Sequence, residues 1–251
     1  MSTAWLLDSG PGPAAFNMAL DQALLEAAPA LGLAVLRFYG WTEPAASFGY
    51  FQKYAEVEAL TPLRPLVRRP TAGGLVPHDA DWTYSLVFPA SHSWYRLRAA
   101  ESYRAAHAWI QAAFSRLGLT LVLAPSRLPS HAANPNLNPN LNPNLELAPG
   151  RLPSHAGQCF VGYEKSDLLW RGRKIAGAAQ RRTREGLLIQ GSVQPPPVGL
   201  ARADWHQAMR AAAPFAPPVQ WLEFSADPAL WKRALELAAA KFALPAYNRK
   251  R

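Results

Sequence analysis

The stretch GRKIAGAAQ, residues 172–180, constrains this chain more than any other. Gly172 reads as a turn and Lys174–Ile175 as the start of a returning strand. Four small residues then follow in a row, Ala176 to Ala179. Small side chains pack poorly and weaken a strand, so such a run is expected where something must lie close against the backbone. Lys174 stands at the entrance to that run. A desolvated lysine there would hold a carbonyl or carboxylate oxygen, or stabilise a developing oxyanion. The plainer alternative is a solvated hairpin lysine.

The surrounding pattern mixes helices with antiparallel strand pairs. GPAAFNMALDQALLEAA carries Phe16, Leu20, Leu24 and Ala27 at helical spacing, with Pro13 suited to the first turn. LAVLRFYGW reads as a buried strand, EPAASFGYFQ as a second, and WTYSLVFP alternates, with Trp82, Tyr84, Leu86 and Phe88 on one side. A long helix spans Leu97 to Leu117 and stops at Gly118. LTLVLA and GLLIQGSV read as strands, and ARADWHQAMRAA and PALWKRALELAAAKFA as closing helices. No regular βαβ rhythm emerges, so the expected class is α+β. The expected layout is one catalytic domain over 1–245 and a basic tail over 246–251.

Residues 125–156 are different in kind. LAPSRLPSHA (123–132) recurs as LAPGRLPSHA (147–156), with NPNL three times in succession between them. Proline at every fourth place removes backbone donors and asparagine favours turns, so a loosely ordered surface insertion is expected. His131 and His155 are copies of one another, so their pairing does not indicate a metal, and no metal site is expected.

The net charge is +9, which admits nucleic acid, an acidic protein partner, or a protein that is simply arginine-rich. The cations fall in short sets: Arg64, Arg68 and Arg69; Arg171, Arg173 and Lys174; Arg181, Arg182 and Arg184. That spread favours a basic face over a nucleic-acid arm. No apolar run approaches the ~20 residues that span a bilayer, so no membrane partner is expected. The single cysteine, Cys159, rules out an internal disulfide and fits a cytoplasmic location.

Two further features invite chemistry. RRPTAGGLVPHD (68–79) joins a basic pair, a proline turn, two glycines and a histidine, a loop in which backbone amides and Arg69 face an anion. The duller alternative is a turn between strands. Cys159 lies 15 residues before Lys174, across one expected strand, a spacing that allows the two to meet in space. A nucleophilic thiolate wants such a cation, and His78 is another candidate neighbour. A lone cysteine also serves as a small buried apolar residue.

Taken together, NMALDQALL (17–25), WTEPAASFGYFQ (41–52), VRRPTAGGLVPHDADWTYSLVFP (67–89) and GRKIAGAAQRRTREGLLIQGSV (172–193) resemble the lipoate–protein ligase and octanoyltransferase family, related to biotin protein ligases. Ala72 stands where that family usually has glycine, and Pro77 before His78 is unusual. The resemblance implies a mixed, mostly antiparallel α+β fold flanked by helices. It implies transfer of a medium-chain acyl group to a lysine of a lipoyl carrier domain, as in 2-oxoacid dehydrogenases or the glycine cleavage H protein. It implies Cys159 and Lys174 as catalytic residues. Arg69, Thr71, Gly73, Gly74, His78, Gly177 and Ala178 would bind substrate. The cysteine favours the octanoyltransferase type, which draws octanoyl from acyl carrier protein and needs no cofactor. The alternatives are an ATP- and Mg-dependent lipoate ligase and a non-catalytic basic module for nucleic acid, which is not the expected partner.

Overall fold

The computed structural model describes residues 2–125, 162–224 and 227–250. The duplicated Pro-Asn insertion from residue 126 onward and Cys159 lie outside the described residues. The chain opens with β1 (Ser2–Gly12), α1 (Ala14–Leu31), β2 (Ala34–Trp41), β3 (Ala45–Phe48), α2 (Tyr54–Leu60), β4 (Leu66–Arg68), β5 (Val76–His78) and β6 (Trp82–Pro89). It continues through α3 (Ser93–Arg96), α4 (Ala99–Arg116), β7 (Val122–Leu123), β8 (Leu168–Trp170), β9 (Arg173–Arg182) and β10 (Gly186–Val193). It closes with α5 (Arg202–Ala211), β11 (Val219–Glu223), α6 (Pro228–Leu237) and α7 (Pro245–Asn248), a π-turn at Ala238–Phe242 separating the last two helices.

Eight strands form one sheet in the order β11-β1-β2-β6-β10-β9-β8-β7, and three form a second in the order β4-β3-β5. Pairing is parallel at β11–β1–β2 and antiparallel from β2 through β7. The α+β expectation is met, and so is the hairpin turning at Gly172: β8 pairs antiparallel with β9 from Leu168↔Ala176 to Trp170↔Arg173, and β10 follows on the other side of β9 from Ala176↔Val193 to Arg182↔Leu187.

The period of two sorts each central strand between two helical layers. Leu36 and Phe38 of β2, with Tyr84, Leu86 and Phe88 of β6, pack toward Trp109 of α4 and Trp205 of α5. Val35, Tyr39 and Val87 face the other way, toward Leu20 and Leu24 of α1 and Leu230 of α6. Both faces being covered, all eight residues of β6 are buried. The third cluster, Ala46, Phe48, Val57, Leu66 and Leu75, belongs to the small sheet.

Polar groups interrupt the α1 side of the sheet. Asn17 and Asp21 lie one turn apart on α1, both fully buried. Arg37 of β2 meets Asp21 at 2.6 Å with neither side chain exposed. Its other donors reach Asn17 Oδ1 at 2.9 Å, Asn17 O at 3.0 Å and Ser9 Oγ at 3.0 Å. Asp21 also accepts from Ser85 Oγ at 2.7 Å and Gln190 Nε2 at 2.7 Å. Four elements are thereby tied to one carboxylate. The segment after residue 245 is anchored too: Asn248 is buried and its backbone oxygen accepts from Arg68 Nη2 at 2.8 Å.

Removing one partner of a buried ion pair strands the other charge. Asp21→Ala is expected to cost about 3–5 kcal/mol of unfolding free energy, read from urea denaturation. The double change Asp21→Leu with Arg37→Met is expected to recover part of it. A single-variant loss below about 1 kcal/mol would show that the pair is dispensable.

Candidate active site

The loop between β4 and β5 is built around Arg69. Its Nη1 donates to Ser47 O at 2.8 Å and Ser47 Oγ at 2.9 Å, and its Nη2 to Ala72 O at 3.0 Å and Gly74 O at 2.8 Å. One buried guanidinium thus curls the loop and staples it to β3. Gly73 has φ +92°, a conformation that side-chain-bearing residues rarely adopt, so Gly73 and not Ala72 is the position that requires glycine. A Cβ at Gly49 would overlap the Gly73 carbonyl, so β3 is followed by a glycine where the loop presses against it. Thr71 is buried and donates to Gln190 Oε1 at 2.8 Å, which links the loop to Asp21 through Gln190.

A narrow slot of about 30 Å³, open at one side, lies between the two sheets. Gly177, Ala178 and Ala179 of β9 line it, together with Arg69, Gly73 and Val76 from the β4–β5 segment. Met18 and Tyr39 close the α1 end, and Ser47, His78, Thr83 and Ser192 supply hydroxyls and an imidazole. The run of small residues in β9 lines a cavity, as its composition implied. Of the residues singled out from sequence, the slot gathers Arg69, Gly73, His78, Gly177 and Ala178, while Thr71 and Gly74 shape the loop behind it.

Lys174 is placed differently. Its ammonium lies 2.7 Å from Asp167 Oδ2, with side-chain exposures of 4% and 0%. Asp167 also accepts from the Tyr103 hydroxyl and from the Glu164 amide at 2.7 Å. Lys174 is therefore a buried, clamped cation and not a solvated hairpin lysine, and it is not among the residues lining the slot. Cys159 lies outside the described residues. Arg68 and Arg69, read from sequence as part of a basic face, are buried; Arg171, Arg173 and Arg184 are exposed.

Three buried side chains that contact the expected site residues escaped the sequence reading: Ser47 and Asp81, which flank His78, and Asp167, which pairs with Lys174. Asp81 was signalled by its i+3 spacing from His78, and Asp167 by the KSD that precedes β8. Ser47 sits in the short strand AASF, where nothing distinguishes it.

The fold is that of lipoate–protein ligases. A Thermoplasma acidophilum protein solved with bound lipoic acid superposes with TM-score 0.74 at 19% identity, covering 100% of both chains. A lipoate-protein ligase A bound with ATP gives TM-score 0.73 at 18% identity, covering 99% of each. The family model of the lipoyl protein ligase A/B catalytic domain matches residues 13–194, and the chain belongs to that family. Among curated relatives, octanoyltransferase LipM of Geobacillus kaustophilus is 36% identical over 192 residues and that of Bacillus subtilis 34% over 195 residues. In both cases the match covers 74% of this chain and 63% of the relative, so the chain spans less than two thirds of their length.

Next to the Lys174–Asp167 pair sits His107, fully buried, its Nδ1 3.1 Å from Tyr103 O and its Nε2 without a hydrogen-bond partner among the described residues. Burial pushes His107 from the ordinary 6.5 down to about 4, and Lys174 pushes the same way against the opposing pull of Asp167 and of the Tyr103 carbonyl. A depressed folded-state value means the fold favours neutral imidazole. That stability is present above pH 6.5 and is lost as pH falls from 6.5 through 4. At about 1.4 kcal/mol per pH unit the loss approaches roughly 3 kcal/mol. Denaturation midpoints at pH 7 and pH 4.5 are expected to differ less in His107→Leu than in the unmodified protein, and an equal difference would remove His107 as the cause.

Proposed function

We propose that this chain is an octanoyltransferase of protein lipoylation, moving octanoyl from acyl carrier protein to a lysine of a lipoyl domain through a Cys159 acyl-enzyme. The observation that carries the reading is the relation, at 34–36% identity, to proteins named octanoyltransferase LipM. The lining of the slot supports it: glycine and alanine on β9 present little side chain, so a methylene chain can lie close to that backbone. No helix among the described residues is long and apolar enough to cross a membrane, and the reading places the chemistry in the cytoplasm.

The physical account runs from the thiol. A Cys159 thiolate attacks the octanoyl thioester carbonyl; the C–S bond to the carrier breaks and a new thioester forms. Exchange between thioesters is close to neutral in energy, so ATP and Mg are not required. The lysine amine of the lipoyl domain then displaces the cysteine sulfur, and amide formation draws the sequence forward. Lys174, clamped by Asp167, provides a fixed cation to lower the thiol pKa and hold the developing oxyanion. The exposed Arg171 and Arg173 belong to the rim that meets acidic carrier domains and speeds encounter.

The test is direct. Protein incubated with octanoyl-carrier thioester alone is expected to gain one octanoyl by intact mass, and to modify apo lipoyl domain without ATP. Cys159→Ala should abolish both, and Lys174→Met should slow acylation by about 10²-fold or more. Modification that requires ATP and free lipoate, and survives Cys159→Ala, would replace this reading with the ligase. Shortening the donor to hexanoyl removes two methylenes, about 1.6 kcal/mol at ~0.8 each. It is expected to lower kcat/KM by about tenfold, whereas equal rates would separate the slot from chain-length choice.

A further inference from the structure

The slot holds a second nucleophile. Ser47 Oγ lies 2.6 Å from His78 Nε2, and His78 Nδ1 lies 2.8 Å from Asp81 Oδ2. All three side chains are buried, and Ser47 and His78 both line the slot. The direction of the hydrogen bonds follows from the donor inventory. Arg69 can only donate, so Ser47 Oγ accepts from its Nη1 at 2.9 Å, and the Asp81 carboxylate can only accept, so His78 donates to it from Nδ1. In the neutral ring Nε2 is then left to accept the Ser47 proton. That is the tautomer a general base needs. The ring is further fixed by Trp41, stacked on it at 3.8 Å between centroids. Asp81 Oδ2 is itself held by Thr83 Oγ1 at 3.0 Å and Ser192 Oγ at 2.6 Å.

We propose that Ser47, with His78 as base and Asp81 as its orienting carboxylate, is a serine acyl acceptor that gives this slot a cysteine-independent esterase activity toward medium-chain acyl esters and thioesters. Nucleophile, base and orienter stand within hydrogen-bond reach in the required order, and such a constellation is recognised by geometry and not by sequence position. The inference rests on the preceding reading only for the acyl nature of the slot's occupant.

The step balances. Ser47 Oγ adds to the acyl carbonyl as its proton passes to His78 Nε2. Arg69 Nη1, already beside Oγ, supplies positive charge where the oxyanion develops. The adduct collapses, the bond to the leaving oxygen or sulfur breaks, and His78 returns the proton to the leaving group. Water then attacks the Ser47 ester as His78 takes its proton, and the second adduct breaks its bond to Ser47 Oγ, which regains that proton from His78 as the carboxylic acid departs. Asp81 keeps the imidazole in register and does not accept a proton.

The experiment uses the full chain carrying Cys159→Ala, so that the thiol contributes nothing, with p-nitrophenyl octanoate as probe. Expected are release of p-nitrophenolate, an octanoyl or fluorophosphonate adduct mapped to the peptide containing Ser47, and a loss of at least about 10²-fold on Ser47→Ala. Asp81→Asn, which reverses the tautomer with little change of shape, should lower the rate at least about tenfold. Ser47→Cys, close to isosteric, should move iodoacetamide labelling to position 47 and guards against a folding artefact. Hydrolysis that ignores Ser47→Ala, or adducts mapped only elsewhere, would overturn the proposal and leave the three residues as a buried link between the charges of Arg69 and Asp81. Octanoyl transfer to a lipoyl domain by the protein with Cys159 intact is scored separately, so failure of either reading is seen on its own.

Discussion

The carboxylate of Asp21 organises this molecule. A charge fully removed from water is tolerated only when its remaining lone pairs are occupied. Here the occupants come from Arg37 on β2, Ser85 on β6 and Gln190 on β10, while the carboxylate itself rides on α1. Four elements can satisfy one another in a single register, because slipping any strand by one residue would turn its polar group to the opposite face. An apolar substitute of equal volume would not discriminate between registers so sharply. The same network extends through Gln190 to Thr71, so the Arg69 loop inherits its position from the buried pair.

The central fold was legible because its signals are strong and redundant. The α1 periodicity, the alternation of WTYSLVFP and the GRKIAGAAQ hairpin each specify one element, and each is present. What escaped notice lacked such signals. β1, STAWLLDSGPG, contains Asp8, Gly10, Pro11 and Gly12, all turn formers, and becomes a strand because parallel neighbours on both sides satisfy its backbone. β11 is a five-residue strand whose partner is that same unrecognised β1. LTLVLA shrinks to two paired residues because β8, its only neighbour among the described residues, has just three.

The site was legible in its cations and glycines but not in their roles. Arg69 was read as charge held out for an anion, yet its guanidinium lies inside, curling the loop around itself. The sequence shows a cation beside a glycine pair but not the carbonyls that will surround it, since those come from the loop's own path. Lys174 was legible as unusual, but its clamp was not, because Asp167 pairs with it from β8's approach and is itself held by Tyr103 of α4. Distances of 7 and 71 residues along the chain separate those partners from the lysine, and only the folded topology closes them.

The slot combines two demands that usually conflict. An acyl chain needs surroundings that ask for no hydrogen bond, yet Tyr39, Ser47, Thr83 and Ser192 all line this cavity. Their protons point elsewhere: Tyr39 donates to Asp21, Ser47 to His78, and Thr83 and Ser192 to Asp81. Each hydroxyl is satisfied from behind, so methylenes entering the slot strand no donor and incur little of the usual cost of covering a polar group. Two buried carboxylates, Asp21 and Asp81, are what draw those protons away. On the two proposals made above, the arrangement that satisfies these hydroxyls is also the one that would polarise Ser47 toward His78, so chain binding and proton transfer would follow from the same pair of buried charges.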